Sequence, residues 1–111
     1  MADPQLIYTT WPDSASAEGA ARALLEARLI ACANIMAAGV SLYRWEGRVQ
    51  RDAETVMILK TTTERTAELR HQVETLHPYE TPCILALPID AASSHAGFVD
   101  WIGTETGTGD V

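Results

Sequence analysis

A chain of 111 residues, 47% apolar and 21% charged, has the size and composition of one soluble domain around one core. Its formal net charge is −7 and its eight Lys and Arg are scattered; phosphate contacts need clustered cations, so a nucleic-acid partner is excluded. No apolar run approaches the roughly 18 residues that span a bilayer and no basic-then-apolar start marks a secretory signal, so no membrane partner is expected.

Residues 1–4 read as a loose start. The β-rich run QLIYTT sets a first strand over residues 5–10. WPDSAS stops it: Pro12 interrupts the strand, and Asp13, Ser14 and Ser16 are candidate N-caps. Residues 17–28 are rich in strong helix formers, with Ala17, Ala20, Ala21, Leu24 and Arg28 on one face. Helical spacing then fades. A second strand runs over 33–45, with Gly39 as a candidate bulge. A third covers 48–61, and Glu46-Gly47 makes the tight turn between them, since glycine tolerates positive φ.

Thr61-x-x-Glu64 reads as a capping box for a second helix, with Thr66, Leu69, Val73 and Leu76 along one face. His77-Pro78 ends it, because the residue before proline leaves the helical region. CILALPI, residues 83–89, is the fourth strand. Ser93 or Ser94 caps a short last helix through Phe98 and Trp101. The polar, Gly-rich stretch 103–111 reads as a disordered tail. The chain is thus one domain with its core in residues 5–102. Its order, β-α-β-β-α-β plus a short C-terminal helix, is the split βαβ or ferredoxin-like α+β sandwich. Right-handed crossovers place both long helices on one face of a four-stranded sheet.

The other face lacks a cover. In the third strand Val56 and Ile58 point one way, Met57 and Leu59 the other; the fourth strand sets Ile84 and Ala86 against Leu85, Leu87 and Ile89. Each buried Leu, Ile or Val is worth roughly 2 kcal/mol. Five on an open face come to about 10 kcal/mol, comparable to the stability of a whole domain. Two outcomes fit: the last helix folds under the sheet, or the chain associates with itself. Self-association is the expected one, with the long second strand offering its edge to a neighbour. Cys32 and Cys83 make no disulfide framework. Both thiols are expected reduced, in a cytoplasmic protein.

Four stretches, ARLIACANI (27–35), SLYRWEGRV (41–49), ETVMILKTT (54–62) and HPYETP (77–82), occur in the order and spacing of a known family. By them the chain resembles the CutA divalent-cation tolerance proteins over nearly all of residues 5–102. The resemblance implies a ferredoxin-like fold in a tight homotrimer whose sheets face the trimer core. It also implies a cytoplasmic protein linked to tolerance of divalent metals, copper above all.

The topology puts Cys32 at one end of the sheet and His77 at the other, so the two cannot share a site within one subunit. His77, Tyr79, Glu80, Cys83 and the Thr9-Thr10 end of the first strand can cluster. His77-x2-Glu80-x2-Cys83 offers an imidazole, a carboxylate and a thiolate, donors that suit zinc or copper. Family members proposed to ligate copper carry a Cys near the end of the first strand and a His-His pair before the proline. Here Thr9 and Leu76 stand in those places, and only His77 matches. The same loop also reads as scaffold, with His77 and Tyr79 anchoring it by hydrogen bonds and Pro78 and Pro82 stiffening it. On the metal reading, copper binds weakly and His77→Ala abolishes binding.

Trp45, Lys60 and Tyr79 are candidates for a ligand pocket between subunits, where an anionic metabolite would bind as in trimeric regulators of the PII type. Trp45 and Tyr43 equally read as interface anchors. GRVQ (47–50) echoes acylphosphatases, but the Gly-Val and phosphate-cradling Arg of those enzymes do not follow it, and Asn34 lies upstream. No nucleophile–base spacing stands out, so an enzyme is not expected.

Overall fold

The computed structural model describes residues 3–107. Its elements are β1 (Pro4–Trp11), α1 (Ser14–Glu26), β2 (Cys32–Trp45), β3 (Arg48–Thr62), α2 (Thr66–Leu76), β4 (Ile84–Pro88), a 3₁₀ turn (Ala91–Ser93) and α3 (Ala96–Glu105). The sheet order is β2-β3-β1-β4, antiparallel throughout. This is the expected ferredoxin-like α+β sandwich.

Asp13 caps α1 by accepting the Ser16 amide at 2.8 Å. Ala17, Ala20, Ala21 and Leu24 are buried, small side chains that let the helix sit close on the sheet. Arg28 leaves that face. It takes a left-handed φ of 59°, and the Arg28 and Leu29 amides donate to the carbonyls of Leu25 and Leu24. That pattern is a Schellman motif with Arg in the place glycine usually holds. The motif delivers Leu29 to the core, where α1 and α2 pack Leu24, Leu69 and Val73 onto Ile7, Met57 and Leu59.

The β2–β3 hairpin turns through Glu46 and Gly47, both at positive φ, as the type I′ geometry requires. A register shift between Met36 and Gly39 marks the bulge. Gly39 is needed there, because a Cβ would lie 2.7 Å from the Glu54 carbonyl oxygen.

Several boundaries differ from expectation for local reasons. The chain start is held from Asp3 on, by backbone and side-chain bonds with Thr63. The Thr61-x-x-Glu64 capping box does not form. β3 runs on to Thr62, the Thr61 hydroxyl donates to the Leu29 carbonyl at 2.7 Å, and Arg65 sits at the helix start without a side-chain cap. His95, not Ser93 or Ser94, caps α3, its Nδ1 accepting from the Phe98 amide at 3.2 Å. The helix continues to Glu105, and Thr106 is buried; the remainder of the expected tail, 108–111, lies outside the described residues.

α3 lies on the sheet face opposite α1 and α2. Thr62 reaches Thr106 there and the Lys60 ammonium sits over the Phe98 ring, and both sheet residues alternate away from the core-facing Leu59 and Thr61. The last helix therefore does fold under the sheet, but it covers one corner only. Leu85 and Leu87 remain 58% and 45% exposed. Val40, Leu42, Trp45 and Val49 are exposed along the outer half of the hairpin, in a molecule 48 Å long and 28 × 22 Å across.

Candidate functional site: the α2–β4 loop at the end of β1

Pro78 forces the chain out of α2 at His77, whose ψ of 137° is extended. The loop then crosses the end of β1 before entering β4. His77 is 7% exposed. Its Nε2 lies 2.7 Å from the Thr10 carbonyl oxygen, and its Nδ1 accepts the Tyr79 amide at 3.1 Å. The Trp11 ring lies 4.2 Å from the imidazole and the Tyr79 ring 4.8 Å from it, centroid to centroid. Beneath them the Trp11 indole donates to the Thr9 hydroxyl at 2.8 Å, and Thr9 donates to the Met57 carbonyl at 2.7 Å. The Tyr79 hydroxyl reaches across to Glu54 on β3 at 3.5 Å. Glu54 also accepts from Ser41, and Asp52 accepts from Tyr43.

Burial pushes the Cys83 thiol up from its ordinary value; a hydrogen bond with Thr10 opposes the rise and the Glu54 charge adds to it. Burial, then the Glu54 carboxylate, raise the Tyr79 hydroxyl. Tyr43 is raised first by its hydrogen bond to Asp52.

Of the residues expected to cluster, His77, Tyr79 and Cys83 lie together at the end of β1. Glu80 is in the same loop but exposed, with no side-chain hydrogen bond or ion pair among the described residues. The metal reading of His77, Glu80 and Cys83 does not fit this geometry. Among the described residues no three His, Cys, Asp or Glu side chains gather where they could hold an ion, and both His77 nitrogens already have backbone partners. The hydrogen bonds are those of the scaffold reading.

Trp45, Lys60 and Tyr79 do not meet within one chain. Trp45 pairs with Arg48 at the hairpin tip, and Lys60 with Cys32 at the opposite end of β3; the twelve residue steps from Arg48 to Lys60 separate them by about 40 Å. The Lys60 ammonium donates to Asn34. Trp11 escaped the sequence reading, as did the links from Glu54 to Ser41 and Tyr79. The signal for Trp11 was present: it continues the alternation Ile7, Thr9, Trp11 one residue past the expected strand end.

A ferredoxin-like sandwich with a hairpin that outruns its helices, and a His-pinned loop at the end of β1, defines the structural class. Comparison with known proteins gives the family. The family described as CutA1 divalent ion tolerance protein matches residues 5–105. The divalent-cation tolerance protein CutA of Thermus thermophilus is 41% identical over 93% of this chain and 98% of its own. The crystal structure of the divalent ion tolerance protein CutA1 from Ehrlichia chaffeensis superposes with a TM-score of 0.90 at 33% identity, over 97% of this chain and 99% of that one. The structure of the periplasmic divalent cation tolerance protein CutA from Archaeoglobus fulgidus gives 0.87 at 41% identity, over 93% and 98%. The chain belongs to the CutA1 divalent ion tolerance family, which is described by a phenotype and not by a reaction.

Proposed function

We propose that this chain serves divalent-cation tolerance as a homotrimer, joined through the sheet face that α3 leaves open and through the β2–β3 hairpin. One observation carries the assembly: large apolar side chains stand in water on both surfaces. Leu85 and Leu87 line the sheet face, while Leu42 and Val49 on the hairpin are 68% and 69% exposed. Patches of that kind mark association sites. β2 is also an edge strand of fourteen residues, free to pair with another backbone. The number three comes from the family resemblance.

Copper is the cation we assign first to the tolerance role, as a species handled and not a resident cofactor. Direct binding, on this reading, draws donors from more than one protomer. We assign no catalytic step, and we place the protein in the cytoplasm on its free cysteines, Cys32 and Cys83. The alternative, a regulator that holds a small anionic effector, also needs the assembly, since only different protomers can bring Trp45 and Lys60 together.

Sedimentation velocity tests the assembly: the expected mass is three times the 12.1 kDa of the chain. A single 12.1 kDa species at micromolar concentration overturns it. A thermal shift with copper and none with nucleotides or organic acids supports metal handling; the reverse supports the regulator.

A further inference from the structure

We propose that His77 is a two-sided latch that positions Tyr79 over Glu54, and that its imidazole is closed to divalent cations. The inference stands on a single protomer and is independent of how many assemble. The tautomer follows from the partners. The Thr10 carbonyl can only accept, so Nε2 carries the proton. The Tyr79 amide can only donate, so Nδ1 carries the lone pair.

A metal ion needs a bare ring nitrogen. Nε2 has no lone pair to offer, and that of Nδ1 points at the loop's own amide. The Trp11 and Tyr79 rings crowd what remains of the surface. Coordination would have to break one of the two bonds and leave a backbone group without its partner, which folded chains strongly avoid.

The latch also ties distant parts of the chain together. It joins the end of α2 to the end of β1 across 67 positions of sequence. By fixing the Tyr79 backbone two residues on, it aims the Tyr79 ring so that its hydroxyl meets Glu54 on β3. The loop, β1 and the central hairpin are thereby tied through one imidazole. His77 is a positioning residue.

The test is long-range proton–nitrogen NMR of the ¹⁵N-labelled full chain, without and with excess Zn²⁺. The expected result is a single Nε2–H tautomer for His77, unchanged by zinc. Loss of the Nε2 proton, or a His77 nitrogen moving to a zinc-bound shift, overturns the proposal. Two variants separate the halves of the latch. His77→Asn keeps an oxygen acceptor near the Nδ1 position, while His77→Gln keeps a donor near Nε2. Exchange of the Tyr79 amide is expected to be about tenfold faster in His77→Gln than in His77→Asn. Cu²⁺ titrations of both should match the parent within about twofold, whereas an equal loss of about tenfold in both restores the ligand reading. The parent spectrum needs no variant, so it decides even if a substitution unfolds the chain.

Discussion

Replacing Thr9 by valine keeps shape and volume and deletes one hydroxyl. That hydroxyl accepts from the Trp11 indole and donates to the Met57 carbonyl, and Thr9 and Trp11 are both fully buried. Loss of the Thr9–Met57 bond costs about 1 kcal/mol. The indole N–H, left in an apolar interior without a partner, costs about 1–3 kcal/mol more. The new methyl group returns about 1 kcal/mol of apolar burial. The expected net loss is about 1–3 kcal/mol. Guanidinium unfolding followed by circular dichroism measures it, at one fixed protein concentration because association shifts apparent stability. Trp11→Phe removes the donor that Thr9→Val strands. In that background Thr9→Val should cost less, by about 1–2 kcal/mol of coupling. A cycle that closes at zero coupling refutes the relay, whatever the single substitutions cost.

Gly39→Ala pushes a methyl into the Glu54 carbonyl and should cost about 1–3 kcal/mol in the same unfolding assay. Ala38→Gly relieves a φ of 65° and should change stability in the opposite direction, by about 0.5 kcal/mol. Tyr79 is raised by burial and by Glu54, so its stabilising effect is complete below the ordinary tyrosine value, near pH 10, and is lost as pH rises through the folded value. An ultraviolet titration should show Tyr79→Phe deleting a late-ionising tyrosine; an unchanged high-pH limb counts against the raised value. Leu85→Glu combined with Leu87→Glu should leave a folded chain that sediments at 12.1 kDa; an assembly that persists means the open sheet face is not the subunit contact.

What the sequence made legible is what depends on near neighbours. Strand alternation and the helical spacing of Ala17, Ala20, Ala21 and Leu24 are local periodicities, and they settled the element order and the buried face of α1. The hairpin turn and the Gly39 bulge followed from backbone freedom at single glycines. Capping was less legible, because a cap belongs to whichever acceptor reaches the amide first. Thr61 looks like a cap in sequence, yet a carbonyl 32 positions away takes its hydroxyl. Ser93 and Ser94 both bond back to Asp90, which leaves His95 to receive the α3 amide.

The same limit governs the site. Topology alone brought His77 to the end of β1, so its neighbourhood could be read from the order of strands and helices. Its tautomer could not, because that is dictated by two backbone groups, one of them 67 positions away in the sequence. His77-x2-Glu80-x2-Cys83 is a plausible donor set as a string, since spacing carries no information about which lone pairs are already engaged. The decisive fact about an imidazole is which nitrogen is bare and what it faces. In this chain the bare nitrogen faces the Tyr79 amide, so the residue that looks most like a ligand is the one the fold has placed out of reach of a cation.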